Sequence, residues 1–111
     1  MSGKTPYTLE VNDPQKANMI IQDWLKSHGF VYEEKDNEKF YRVGDGIFTA
    51  KRYFQYGFDG NRLVIYVFWK SHKKPQPVKV QFYGGAILSI YLGEIEKLLF
   101  ALEENVMAKR L

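Results

Sequence analysis

The sequence predicts an α+β fold: a single antiparallel sheet with two amphipathic helices packed on one face, in the order β-α-β-β-β-β-(β)-α. Two observations lead there. One segment near each end places apolar residues at helical spacing. Between them, strand-like runs follow one another across short turns, which means antiparallel pairing. Each helix has an apolar stripe to bury, and one sheet face supplies the surface.

The elements follow in order. In TPYTLEV, residues 5 to 11, Tyr7, Leu9 and Val11 share one face while Thr8 and Glu10 take the other, as in a strand. Asp13-Pro14 opens a helix. The Asp carboxylate accepts orphan backbone N–H groups, and Pro suits the first helical position. Ala17, Ile20, Ile21, Trp24 and Leu25 form its apolar face. Gly29 ends it by taking a left-handed conformation. FVYEEKDNEKFYRV, residues 30 to 43, reads as a hairpin around DNEK. Gly44-Asp45-Gly46 is a second turn signal. A long strand from Ile47 to Phe58 is expected next, then the turn Asp59-Gly60-Asn61 and a return strand from Arg62 to Lys70.

SHKKPQP, residues 71 to 77, reads as a loop because each Pro removes a backbone donor. VKVQFY, residues 78 to 83, has the composition of a short edge strand. Leu92, Ile95, Leu98, Leu99, Leu102 and Val106 recur at the spacing of a final helix. Its expected start is near Ser89, although AILSIYL also reads as a strand ending at Gly93. Glu94 and Glu96 then fall near its start, and Lys109 and Arg110 near its end, as the helix dipole favours.

The chain has 111 residues, the length of one domain, 1 to 111. It is 45% hydrophobic and 26% charged, an ordinary globular balance. It has no cysteine, which excludes disulfides, thiol catalysis and thiolate zinc sites. MSGKTPYTLEV lacks the apolar stretch of a signal peptide. No apolar run approaches the ~18 residues of a membrane helix. A cytoplasmic protein with no membrane contact is the expectation. The net charge of +3 is mild. Domains committed to nucleic acid concentrate more positive charge on one face. The only basic cluster is KSHKK, residues 70 to 74.

The Asp-Gly-Asn turn fixes which residues of its two strands share a face. One face carries Phe48, Ala50, Phe54, Tyr56 and Phe58 with Leu63, Ile65, Val67 and Trp69, and Arg52 as its lone charge. That is the core face. The other carries Thr49, Lys51, Tyr53 and Gln55 with Arg62, Val64, Tyr66, Phe68 and Lys70. Its mixture of aromatic and basic residues is where function would show. Lys51, Tyr53, Arg62, Tyr66, Phe68 and Lys70 are therefore the candidate interaction surface. Tyr and Arg are typical anchors of protein contacts, by dimerisation or with another partner. The same face could stack single-stranded nucleic acid on Tyr53, Tyr66 and Phe68, but neither RYFQYGFDG nor GDGIFTAKR has the glycine placement of the RRM motif.

No catalytic, cofactor or metal set emerges. Gly44-x-Gly46 precedes a strand and lacks the third glycine of a dinucleotide fingerprint. His28 and His72 are too few for zinc without further carboxylates. Glu33, Glu34, Asp36 and Glu38 crowd one turn with Lys35 and Lys39, a solvated arrangement. No serine lies in a G-x-S-x-G elbow. A curved sheet gripping helices can also leave an apolar cavity, for which Trp24 and Arg52 are candidate lining residues. A buried Arg needs an anionic partner, which Glu10, Glu34 or an anionic ligand could supply.

Two motifs carry a resemblance. GDGIFTAKR fits G-[DS]-G-h-h-T-A-[KR]-[RK], and FDGNRLVIYVFW fits F-x-G-N-x-L-V-h-x-h-F-W, with h apolar. With the helix ending in WLKSHGF, they resemble an uncharacterised bacterial α+β domain that forms the C-terminal part of zinc-ribbon-containing proteins. The likeness covers residues 7 to 105, and this chain has no ribbon. It implies the same element order, a non-enzymatic role and no substrate. The expected function is a binding module acting through protein contacts on the outer sheet face. A small-ligand carrier and a weak single-stranded nucleic-acid binder are the alternatives.

Overall fold

Asp13 and Gly29 bracket the first helix, α1 (Pro14–Ser27), as the sequence requires. The Asp13 carboxylate accepts from the Lys16 backbone N–H at 3.1 Å, and Gly29 takes φ +77. This is seen in a computed structural model, which describes residues 5–44, 51–71, 74–77 and 85–111, with backbone alone at 70, 71, 74–77 and 85–88.

The remaining elements are β1 (Thr5–Glu10), β2 (Val31–Lys35), β3 (Glu38–Val43), β4 (Lys51–Asp59), β5 (Arg62–Ser71), β6 (Lys74–Pro77), α2 (Gly85–Val106) and β7 (Lys109–Arg110). The strands form one antiparallel sheet in the order β2-β3-β4-β5-β1-β7, with β6 paired to β5 above β1. The fold is α+β. The β2–β3 hairpin turns at Asp36 and Asn37, both at positive φ (53 and 64), which suits the twist of its strands. In the β4–β5 hairpin Asp59 faces Arg62, so Gly60-Asn61 is the loop and Gly60 takes φ +62.

This register puts Phe54, Tyr56 and Phe58 across from Val67, Ile65 and Leu63, on the face both helices cover. The core joins these to Leu9 and Val11, to Ala17, Ile21 and Leu25 of α1, and to Tyr91, Ile95, Leu98, Leu99, Leu102 and Val106 of α2. Each such side chain contributes roughly 1.5–3 kcal/mol by leaving water. The expected core positions Phe48 and Ala50 lie outside the described residues, as do the start of the strand expected from Ile47, the strand expected at 78 to 83, and His72.

Three expectations are corrected. Residues 74–77, expected as loop, form β6. Pro75 and Pro77 are two apart, so their missing N–H groups fall on one side, and a strand that among the described residues pairs only to β5 has a side that needs no donors. The last helix begins at Gly85, not near Ser89. Its apolar stripe runs on upstream of Leu92 through Tyr91, which is buried, while Gly93 sits exposed in mid-helix without breaking it. Glu94 and Glu96 are therefore mid-helix residues. Finally, Lys109 and Arg110 do not end that helix. Met107 takes φ +51, the Ala108 N–H returns to the Leu102 carbonyl at 3.2 Å, and the chain leaves to pair with β1. Arg110 instead reaches Glu96 at 2.8 Å and Glu103 at 3.6 Å on the helix flank.

Candidate functional site

The sheet face turned away from the helices divides into two halves. In the first, Tyr53 of β4 faces Phe68 of β5, with rings stacked 4.9 Å apart and 5° from parallel. Phe40 of β3 meets the Tyr53 ring edge-on at 5.2 Å. These three are only 5 to 8% exposed. They form a second small core. Arg42 lies beside them, ion-paired to Glu33, and its Nη1 donates to the Gly44 carbonyl at 2.6 Å. Burial pushes the Tyr53 hydroxyl pKa up, with Glu33 adding to the rise and Arg42 opposing it.

The predicted interaction surface is thus corrected in part. The parity that put Lys51, Tyr53, Arg62, Tyr66 and Phe68 on one face holds, but Tyr53 and Phe68 are buried and present no open stacking platform. Arg62 is exposed, and Lys51 and Tyr66 are half-buried. Lys70 stands opposite Lys51 in the ladder.

The second half is open. Among the described residues the β3–β4 ladder holds only at Tyr41–Phe54, Arg42–Tyr53 and Val43–Arg52. Continued by two steps it would place Lys39 against Tyr56. Instead the Lys39 carbonyl accepts from the Gln55 side chain at 3.2 Å, and β3 parts from β4. Among the described residues, nothing pairs with the β3-side edge of β4 from Tyr56 to Asp59. A concavity of about 480 Å³ opens there, lined by Glu38, Lys39, Gly57, Asp59, Val64 and Tyr66, with Gln55, Tyr56 and Phe58 around them. Gly57 faces it, and a Cβ there would meet no atom within 4 Å. On the helix side of the same edge, a second concavity of about 510 Å³ lies between Phe58 and Pro14, Gln15, Asn18 and Met19 of α1. Met19 is 65% exposed within it.

A polar network anchors α1 beside this edge. Gln22 Nε2 donates to the hydroxyls of Tyr41 at 2.9 Å and Tyr56 at 2.6 Å, and Tyr56 donates to Asn18 Oδ1 at 2.5 Å. Burial raises the Tyr56 pKa, opposed by the Gln22 bond and helped by Tyr41. The free edge is therefore held in place by its own tyrosine.

Of the expected cavity pair, Trp24 and Arg52, Trp24 lies in an aromatic neighbourhood. The Trp24 ring packs on His28, Phe30 and Phe54 at 4.6, 5.3 and 5.4 Å, and its buried Nε1 has no hydrogen-bond partner among the described residues. Arg52 is near enough to Tyr91 to oppose the burial that raises its pKa. The register corrects the expected carboxylate partners. Glu10 pairs with Arg62, at the other end of the sheet and on its other face, and Glu34 pairs with Lys39 at the far end of its hairpin.

Ser27, His28 and Glu94 also come together. His28 Nε2 meets Glu94 Oε2 at 2.8 Å, and its Nδ1 lies 2.8 Å from the Trp24 carbonyl and 3.1 Å from Ser27 Oγ. Ser27 Oγ also donates to the Trp24 carbonyl at 2.9 Å. The cluster ties the end of α1 to α2. Among the described residues, no group of His, Asp and Glu is placed to hold a metal ion, and no helix is long and apolar enough to cross a membrane.

Sequence reasoning passed over Glu38, Lys39, Gly57, Asp59 and Val64 as a site. The signal was Gly57, a glycine inside a strand, which often marks a place where another backbone approaches. The fold and this half-open outer face define an α+β domain in which, among the described residues, part of an internal strand edge is unpaired. No family model, curated protein or solved structure matches the chain.

Proposed function

We propose that this chain is a non-enzymatic binding module that contacts another protein through the open half of its outer sheet face. The observation that carries this reading is the concavity around Gly57. It lies on the face the helices leave free, and its floor is the apolar surface of Val64 and Tyr66. A side chain at position 57 has room within the chain, yet the position is held by a residue that weakens strands. Concave apolar sites rimmed by a few polar groups are where binding concentrates. Glu38, Lys39 and Asp59 supply such a rim.

The test is a photo-crosslinking residue placed at Val64, with the exposed Asp23 on α1 as control. The reading predicts a discrete adduct from position 64 in cells, absent from position 23 and lost when Gly57→Arg fills the concavity. A product at twice the chain mass identifies the partner as a second copy. Adducts that form equally from both positions, or that survive Gly57→Arg, overturn the reading.

A further inference from the structure

We infer that His28 is a proton-operated latch between the end of α1 and α2, closed while its imidazole carries both ring protons and loosened when Nδ1 gives one up. The proton count follows from what the ring faces. Nε2 lies 2.8 Å from Glu94 Oε2, and Nδ1 lies 2.8 Å from the Trp24 carbonyl oxygen. Both partners are acceptors, so both contacts are hydrogen bonds only when both nitrogens carry protons, as in the imidazolium. A neutral ring with no change around it sets one lone pair against an oxygen.

The surroundings favour the charged ring. His28 caps the C-terminal end of α1, where a positive charge meets the negative end of the helix dipole. The Trp24 ring packs on the imidazole with centroids 4.6 Å apart, within reach of a cation–π contact. Glu94 stays ionised where the imidazolium forms, because the hydrogen bond from His28 keeps its carboxyl below the ordinary value, against partial desolvation and with help from Lys97. Among the described residues the charged groups at the latch are Glu94 and Lys97 of α2 and Lys26 in the last turn of α1. The two lysines are like charges to the imidazolium. Lys97 sits 3.4 Å from Glu94 Oε1, so it shares the carboxylate without displacing His28 from Oε2.

Ser27 supplies the second state. Its hydroxyl has one proton and two places for it, the Trp24 carbonyl at 2.9 Å and His28 Nδ1 at 3.1 Å. Beside the imidazolium the proton goes to the carbonyl. When Nδ1 loses its proton to solvent, the hydroxyl turns and donates to it, while Nε2–H stays on Glu94. The latch then lacks the Nδ1 bond to the α1 terminus and the positive half of its ion pair, yet no ring nitrogen is left without a partner. Histidine changes charge within about pH 5–8, so the tie between the helices is tighter on the acid side of that span and is lost in part as pH rises through it.

The experiment uses the full chain, ¹⁵N-labelled. Two-bond ¹⁵N–¹H correlations of the His28 ring read which nitrogens carry protons. Both should do so at pH ~5.5, and Nε2 alone at pH ~8. A neutral ring protonated at Nδ1 overturns the latch, since the Glu94 bond is then the one given up. The backbone amides of Gly29 and Phe30 donate to the Lys26 and Leu25 carbonyls at the end of α1. Their exchange protection, corrected for the intrinsic rate, should fall about fivefold over the same range. His28→Gln should remove that fall, and Ser27→Ala should deepen it, because the bare Nδ1 then has no donor. Protection that stays level with pH in the unaltered chain, or that falls as much in His28→Gln, overturns the latch. A Ser27→Ala profile that matches the unaltered chain overturns the second state.

Discussion

The hydroxyl of Tyr91, in the first third of α2, donates to the backbone carbonyl of Tyr53 on β4 at 2.6 Å. Tyr91 is buried, and burial holds its pKa well above the ordinary tyrosine value. The bond therefore pins the second helix to a central strand from a neutral phenol. Tyr91→Phe keeps the ring and leaves the carbonyl without this donor. It should cost about 1–2 kcal/mol in urea unfolding. A loss within measurement error would mean that the carbonyl finds another donor.

Phe68→Asp tests the division of the outer face. An open surface residue would change assembly and leave stability alone. Buried against Tyr53, Phe68 should instead cost folding. Phe68→Ala should lose about 3 kcal/mol or more, and the aspartate variant more still. Unchanged thermal unfolding of Phe68→Ala would place the ring in solvent.

Gly57→Val should do the opposite. The added side chain meets no atom, and a β-branched residue suits a strand. Stability should stay level or rise, by up to about 1 kcal/mol. A clear loss of stability would give Gly57 a role in packing and remove the argument that the position is kept open for a partner.

Met107 occupies a left-handed position, φ +51, with its side chain 73% exposed. Such a backbone costs a non-glycine residue roughly 1–2 kcal/mol. Met107→Gly should relieve much of that and raise the midpoint of urea unfolding. No gain would show that the thioether makes an offsetting contact.

His28 and Glu94 set an acid limit. The hydrogen bond from His28 holds the Glu94 carboxyl below its ordinary value, with Lys97 helping and partial desolvation opposing. A depressed folded-state pKa contributes stability that is present above the unfolded value and lost as pH falls through the folded one. Glu94→Gln should therefore flatten the loss of stability below pH ~4.5. In an NMR titration, His28→Asn should bring the Glu94 carboxyl back toward its ordinary value. An identical acid limb in Glu94→Gln would show that other carboxylates set it.

Much of the fold was legible because turn chemistry fixes parity. Gly60-Asn61 put Phe54 against Val67 and Phe58 against Leu63, and the alternation named the core face. Asp13-Pro14 and Gly29 gave the first helix its ends. Alternation names a face but not what covers it, so the burial of Tyr53 and Phe68 could not be read. Nor could β6, where two prolines share the unpaired side of a strand, or the left-handed turn at Met107 that sends Lys109 and Arg110 into the sheet. Of the candidate site, only the face was legible. The point where β3 leaves β4 depends on tertiary geometry, and Gly57 was its single mark in the sequence.

The sheet order carries a consequence for how the chain assembles during synthesis. β1 is made early, yet its long partner in the sheet is β5: Thr5 pairs with Val67 and Glu10 with Arg62. At roughly 5–20 residues per second, a ribosome takes several seconds to supply the missing strand. Until then Tyr7, Leu9 and the apolar side of α1 have no sheet to rest on. The β4–β5 hairpin, closed by a two-residue loop, is the local unit able to form first and then receive β1. Docking of that first strand onto a preformed hairpin is the expected slow step, and weakening the β4–β5 turn should delay it more than any change in β1 itself.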